Sequence, residues 1–334
     1  MTVKIGINGF GRIGRMVVRA VLENKNKNIE IKHINNRTNA ETSSKLLKYD
    51  SIHGKFNADI NYDEKNLIIN KKKISFSREV EIDKINWKKN NVDIVLECTG
   101  KNNSKEKSLL HIKNGAKKVI VSAPCKNADK TIAFGVNHKL INNKDLVISA
   151  ASCTTNCLAP VAYVLNKEFK IEKAFMTTIH SYTTDQRLLD NSHKDIRRAR
   201  SAAQSIVPTS TGASRSLGEI IPDLKGKIEG LAMRVPTPNV SLIDLVFNSE
   251  KKLSVKKIND AFIISSKKEL KNILATTHEK LVSIDFNHNS NSAIVDLSLT
   301  NVVGDKMGKI SAWYDNEWGF ASRMCDLAEY IHKI

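Results

Sequence analysis

Carboxylates are scarce in this chain. Across 334 residues, 35 Asp and Glu stand against 53 Lys and Arg, a formal balance of +18. A concentrated basic patch would point to nucleic acid. The lysines are instead scattered in pairs and triplets, at 71–73, 88–89, 117–118, 251–252, 256–257 and 267–268, among Asn and Ile. They read as solvated faces that also suit small anionic ligands, and no dedicated nucleic-acid partner is expected; net charge speaks to solubility and steering, not to fold. Long apolar runs are missing too. None reaches the ~18 residues of a membrane span. The opening MTVKIGINGFGRIGR lacks the charged-then-apolar layout of a signal peptide and reads as a structured start. Five cysteines, odd in number and unevenly spaced, exclude a disulfide scaffold and suit a reducing, cytoplasmic setting. There is no internal repeat and no low-complexity tail. A hydrophobic fraction of 41% with 26% charged residues excludes a disordered chain or a fibre. The length suits two domains rather than one, each able to bury a core without metals or cross-links.

Two characters follow one another along the chain. The first half alternates short apolar strands with helical stretches: Val3–Ile7, a helix over Arg15–Glu23, then Ile29–Ile34, Asp93–Cys98, Lys118–Val121 and Leu146–Ser149. That alternation predicts an α/β domain, a Rossmann-type doubly wound parallel sheet, over residues 1–151. From about Ser152 a helix and then longer strands follow, at Ala174–His180, Gly230–Val235, Val240–Phe247, Ala293–Thr300 and Lys309–Tyr314. They predict an α+β domain with a mostly antiparallel sheet over 152–316. An amphipathic helix, Glu317–Ile331, closes the chain. Ser181–Pro208 has little apolar periodicity and carries Arg187, Arg197, Arg198 and Arg200; a loop that long is functional or disordered.

Gly9, Gly11 and Gly14 form a G-x-G-x-x-G. Alone the pattern is weak, and an ordinary glycine-rich turn would also produce it. Here it follows a strand and opens a helix, the context of a dinucleotide site, where backbone N–H groups approach a pyrophosphate at the helix N-terminus. The second strand should then end on a carboxylate for the adenosine ribose of NAD. It ends on Asn35, Asn36 and Arg37 instead. Asn tolerates a 2′-phosphate that Asp would repel, and Arg can pair with it; a solvated loop arginine is the plainer alternative.

The run Ser152-Cys153-Thr154-Thr155-Asn156-Cys157 precedes an apolar helical stretch. Ser152 is a good N-cap, which puts Cys153 in the first turn, where the dipole and free N–H groups are expected to stabilise a thiolate. A nucleophilic cysteine needs a base, and His180, ending a downstream strand, is the candidate. C-x-x-x-C is not strong zinc spacing; Cys157 reads as buried and structural, and no metal site is expected. Cys98, Cys125 and Cys325 read as packing residues.

Seven blocks occur in order: INGFGRIGR, LLKYDSIHG, SAASCTTNCLAP, TTIHSYTTDQ, PTSTGA, MRVPTPNVSLIDL and SAWYDNEWG. Together they resemble the phosphorylating glyceraldehyde-3-phosphate dehydrogenases, from Val3 to the C-terminus. The resemblance implies reversible oxidation and phosphorylation of D-glyceraldehyde 3-phosphate to 1,3-bisphosphoglycerate, in glycolysis or gluconeogenesis, by a homotetramer using NAD or NADP. It implies Cys153 as nucleophile and His180 as base. Substrate contacts fall on Ser152, Thr154, Thr183, Arg198, Thr211, Gly212 and Arg234, the nicotinamide contact on Asn316, and further cofactor contacts on Arg12, Ile13 and Ser122. It also implies that the C-terminal helix, 317–334, packs back on the cofactor domain. Two departures bear on the cofactor. NAD-specific members tend to carry Asp at Asn36, and often Leu-Pro at Asn191 and Ser192, in a loop that reaches a neighbouring subunit's cofactor in the family tetramer. Both changes resemble NADP-using relatives, so dual use is expected, with NADP at least as good as NAD. The family's Glu-Arg-Asp-Pro appears as Glu79-Val80-Glu81-Ile82, without its Arg. Competing readings are an erythrose-4-phosphate dehydrogenase and, more remotely, a nucleotide- or RNA-binding protein without catalysis.

Overall fold

A computed structural model describes residues 2–334. The chain divides into two compact units. One runs to Phe134 and includes His138–Ala151 and Ala321–Ile334; the other comprises Gly135–Asn137 and Ser152–Phe320.

In the first unit the chain forms β1 (Val3–Asn8), α1 (Arg12–Glu23), β2 (Ile29–Asn35), α2 (Ala40–Lys48), the short hairpin β3 (Tyr49–Asp50) and β4 (Gly54–Lys55), then β5 (Ile60–Asp63), β6 (Asn66–Ile69) and β7 (Lys72–Ser77). Next come β8 (Ile94–Glu97), α3 (Lys105–Lys113), β9 (Lys118–Val121), β10 (Lys130–Thr131) and β11 (Val147–Ser149). Nine strands make one sheet, ordered β10-β11-β9-β8-β1-β2-β7-β6-β5. All its pairings are parallel except β5 with β6 and β6 with β7. Strand order reverses between β2 and β8 on the two sides of β1, the switch point at which open α/β sheets bind ligands. The β5–β7 meander was not anticipated from the sequence.

The second unit contains α4 (Cys153–Phe169), β12 (Ile171–Ser181), β13 (Val207–Ser210), α5 (Ala213–Ile220), β14 (Ile228–Val235), β15 (Ser241–Ser249), α6 (Val255–Lys267), β16 (Leu274–Thr277), β17 (Ala293–Asp296), β18 (Asn301–Val303) and β19 (Met307–Tyr314). The helix α7 (Trp318–Lys333) follows. Seven strands run β13-β14-β12-β15-β19-β17-β16, with β18 beside β19. Only β12 with β14 and β16 with β17 are parallel, so the expected mostly antiparallel sheet is present. The expected strand over Ala293–Thr300 stops at Asp296. The Asp296 carboxylate accepts from Ser298 N at 3.1 Å and Ser298 Oγ at 2.6 Å, and this local competition turns the backbone into a 3-10 helix over Leu297–Leu299. Helix α4 packs on β12, β15, β17 and β19. No helix among the described residues is long and apolar enough to cross a membrane.

Candidate active site

Helix α4 starts where the sequence places it. Ala151 turns the chain with φ +57, and Ser152 caps the helix, its Oγ accepting from Thr155 N at 3.0 Å. Cys153 is then the first helical residue. Its Sγ lies 3.5 Å from His180 Nε2. Strand β12 supplies His180, and parallel pairing with β14 sets His180 opposite Arg234. His180 Nδ1 is 2.7 Å from the Ser181 carbonyl oxygen. A carbonyl only accepts, so that contact puts the ring proton on Nδ1 and leaves the Nε2 lone pair for the thiol. Arg234 Nη1 also lies 2.7 Å from Nδ1; with Nδ1 protonated, its acceptor is the Ser181 carbonyl at 3.1 Å.

Burial lowers His180 to about 3, with the Arg234 charge acting in the same direction, so the imidazole is neutral near pH 7. The thiol differs from the sequence expectation. Burial pushes Cys153 above its ordinary value; the Arg234 charge and hydrogen bonds from the first turn pull it down without cancelling that. The helix terminus moderates the desolvation of the thiolate rather than overcoming it.

Around this pair, Tyr314 is fully buried and its hydroxyl joins Thr178 Oγ1 at 2.8 Å to Thr154 Oγ1 at 2.9 Å. Its ring meets His180 edge-on, centroids 5.9 Å apart. Thr154 is therefore buried with its hydroxyl engaged. Sequence reading missed Thr178 and Tyr314; their only signal was membership of the motif blocks. Asn316 is buried, its Oδ1 2.9 Å from both Ser181 Oγ and Ser241 Oγ. Cys157 is fully buried, its Sγ 3.9 Å from the Ala312 carbonyl.

Arg198 donates from Nε to Thr209 Oγ1 at 2.9 Å and pairs with Asp185 and Asp195. Its Nη2 reaches the Ser210 carbonyl at 3.4 Å, beside Thr211 and Gly212, the residues that open α5. The Arg198 and Asp185 charges are both felt at Arg234. Arg234 Nε is buried with no protein partner, a donor an anion would satisfy. Thr183 is half-buried and begins a turn in which its carbonyl accepts from Gln186 N at 2.9 Å. Asn191 and Ser192 are exposed in a loop bonded to itself: Asn191 N donates to the Ala199 carbonyl at 2.9 Å, and Arg187 Nε to the Ser192 carbonyl at 3.0 Å.

In the first unit, the glycine turn has the shape a dinucleotide needs. Gly9 has φ +94, and a Cβ there would meet Thr99 N at 2.7 Å. A Cβ on Gly14 would meet the Gly9 carbonyl oxygen at 2.3 Å. A Cβ on Gly11 would meet no protein atom within 4 Å, so that position faces open space at the uncapped start of α1, where a pyrophosphate fits. Arg12 opens the helix with Ile13 half-buried after it, and its guanidinium grips Asp50, Nη2 to Oδ1 at 3.1 Å. Asp50 is held well below the ordinary carboxylate range although burial opposes this; Arg12 and the His53 and Ile52 N–H groups outweigh it. Asn36 follows β2, its Oδ1 3.4 Å from Phe10 N and its Nδ2 donating to Ser43 Oγ at 3.2 Å. Arg37 is exposed, its carbonyl accepting from Arg78 Nε at 3.2 Å. Ser122 follows β9, its N–H on the Glu97 carbonyl at 3.0 Å.

Known families match both parts. A family model described as glyceraldehyde 3-phosphate dehydrogenase, NAD binding domain, matches residues 3–105, and its C-terminal-domain counterpart matches 152–316. A glyceraldehyde-3-phosphate dehydrogenase of Geobacillus stearothermophilus is 51% identical over 99% of this chain and 98% of its own length. One of Xanthobacter flavus is 48% identical over all of both chains, and one of Priestia megaterium 51% identical over 99% of this chain and 98% of its own. The erythrose-4-phosphate reading is not favoured by these names. With a glycine turn shaped for a dinucleotide, a thiol beside a neutral histidine, and this likeness along its length, the chain belongs to the glyceraldehyde-3-phosphate dehydrogenase family.

Proposed function

We propose that this protein reversibly converts D-glyceraldehyde 3-phosphate, inorganic phosphate and NAD(P) to 1,3-bisphosphoglycerate, in a cytoplasmic setting. The observation that carries the reading is Cys153 Sγ at 3.5 Å from His180 Nε2, with Arg234 alongside. The Cys153 thiol gives its proton to His180 Nε2 as the sulfur adds to the aldehyde carbon and the C=O π bond opens, and that proton passes to the oxygen to complete the hydroxyl of a hemithioacetal. His180 Nε2 takes the hydroxyl proton while the carbon gives up its hydride. The bound nicotinamide supplies the hydride acceptor. The thioester that results is attacked by a phosphate oxygen; the C–S bond breaks and the sulfur leaves, taking the proton held on His180 Nε2, so thiol and neutral imidazole are restored. Arg234, Thr183, Arg198, Thr211 and Gly212 hold the two phosphates, with Ser152 and the Thr154 backbone bordering the sulfur. Asn316, its Oδ1 taken up by Ser181 and Ser241, would hold the nicotinamide carboxamide through its NH2. Gly9, Gly11, Arg12, Ile13, Gly14 and Ser122 seat the rest of the dinucleotide through backbone groups. Cys153→Ser tests this: activity should vanish, whereas a pure nucleotide- or RNA-binding function would survive.

NADP serves at least as well as NAD. Asn36 is neutral where an Asp would repel a 2′-phosphate, and Arg37 offers a charge-assisted partner worth about 1.5–3 kcal/mol, or roughly tenfold to a hundredfold. Asn191 and Ser192 bring small hydrogen-bonding groups to the same phosphate from a neighbouring subunit. Asn36→Asp should lower kcat/KM for NADP and hold or raise it for NAD. A wild type with a hundredfold preference for NAD would refute this.

The assembly is a homotetramer. On the β12–β14–β15 face away from α4, Phe175 is 51% exposed, and Ile179, Leu231, Met233 and Val246 are half-exposed around it. The loop with Asn191 also exposes Leu188, Leu189, Ile196 and Ile206. Apolar surface on this scale asks for a partner.

A further inference from the structure

Ser181 makes polar contacts through three of its groups. Its carbonyl accepts from His180 Nδ1 at 2.7 Å. Its N–H donates to Ser241 Oγ at 3.1 Å. Its hydroxyl lies 2.9 Å from Asn316 Oδ1, and Ser241 Oγ lies at 2.9 Å from the same oxygen. Ser181 and Ser241 are 0% and 1% exposed. Each hydroxyl has one proton to place, and the two oxygens are 3.4 Å apart. Only an acceptor at Asn316 satisfies both, so the amide must turn its oxygen to the serines and its NH2 away.

The surrounding backbone is held to the same end. Val240, the residue before Ser241, has φ +64, a region that β-branched residues rarely enter. It persists because the side chain is buried with Phe286 and Ile294. Asp315, the residue before Asn316, accepts from Glu317 N at 2.9 Å, Trp318 N at 2.8 Å and His288 N at 2.7 Å. Neighbouring residues thus pin both the Ser241 and the Asn316 positions.

We propose that Ser181 and Ser241 are positioning residues that lock the Asn316 amide with its NH2 toward the nicotinamide carboxamide, and so decide which face of the ring receives the hydride. The proposal rests on the reading of Asn316 as the nicotinamide contact. Because Ser181 also anchors the base through its backbone carbonyl, cofactor clamp and proton acceptor share one rigid residue. A hydroxyl deletion at 181 loosens the clamp without touching the tautomer of His180.

The test uses the full chain as Ser181→Ala, Ser241→Ala, the double variant and Asn316→Ala. NAD(P) binding is titrated without aldehyde. Transfer from 1-deuterated glyceraldehyde 3-phosphate is read by NMR for the face that carries the label. Alkylation of Cys153 against pH is measured on the cofactor-free enzyme. The double variant should bind NAD(P) about tenfold more weakly and place label on the wrong face at a level absent from wild type. Its alkylation profile should not move. Unchanged binding with unchanged stereospecificity overturns the proposal, as does a shifted alkylation profile, which would mean that the serines act on His180. Asn316→Ala separates the two readings. If it binds like wild type, the nicotinamide contact is misassigned; if it binds weakly while the serine variants do not, only the lock fails. Should the double variant not fold, the single variants decide by the same readouts.

Discussion

His180 is a neutral imidazole near pH 7 because its surroundings refuse a proton. Burial holds it at about 3, while an unfolded histidine titrates near 6.5. The folded state is therefore at no disadvantage above pH 6.5 and loses stability as the pH falls toward about 3, since the unfolded chain then binds a proton that the native site excludes. The slope from one such residue is about 1.4 kcal/mol per pH unit. His33, lowered by burial to about 4, adds a like slope over pH 6.5 to 4. Denaturant unfolding at pH 7, 6 and 5 should show the decline, and His180→Asn should flatten its share of it; an unaltered slope would contradict this. The same substitution should lower kcat by about 10²–10⁴ with the fold retained. For the thiol burial acts the other way, raising it. Arg234 draws Cys153 downward against burial, so Arg234→Leu should slow alkylation at pH 7, with label still mapping to Cys153. Cys98 and Cys125, pushed up by burial to about 12 and about 11, should stay unlabelled. The approach of His180 to Cys153 was legible because a cysteine in the first turn of a helix calls for a base within reach. Tyr314 was not, because a tyrosine in an apolar strand looks like packing until its hydroxyl is seen between Thr154 and Thr178.

The turn from β1 into α1 contains two glycines required by the protein and one that faces open space. Gly14→Ala forces a methyl to 2.3 Å from the Gly9 carbonyl, so helix and turn must part; overpacking of this kind costs about 1–3 kcal/mol. Gly11→Ala meets no protein atom. Thermal melts with and without NAD(P) should separate them: Gly14→Ala lowers the midpoint in both, whereas Gly11→Ala melts like wild type alone and loses the shift that cofactor gives. Equal effects would mean that Gly11 does not face the ligand. The parallel strands around this turn were readable as apolar runs, and β9 matches its expected bounds, Lys118–Val121. The β5–β7 meander was not readable, because INYD, NLII and KKISFS are short apolar runs broken by charged and amide residues, too brief for a period to show. Helix α1 begins three residues before its apolar spacing does, since Arg12, Ile13 and Gly14 are dictated by the turn rather than by the core.

At the scale of the molecule, the carboxylates are spent in scattered surface pairs such as Lys256–Asp260 and Lys45–Glu41, worth little each. The exposed apolar face with Phe175 argues for assembly instead. Sedimentation should give four chains per particle, and Phe175→Asp should shift it toward smaller species; an active wild-type monomer would refute the tetramer. The division of the chain has one more consequence, in the timing of synthesis. Residues 321–334 belong to the first unit, where Ala321, Met324, Leu327, Ala328 and Ile331 are buried. The ribosome releases them only after the whole second unit, roughly 10–40 s after Ala151 at usual elongation rates. During that interval the nucleotide-binding half has its sheet but lacks the last wall of its core, whereas the catalytic half has all its strands by the time Tyr314 is added. A chain interrupted near residue 320 should thus lose protease resistance in the half made first and keep it in the half made second.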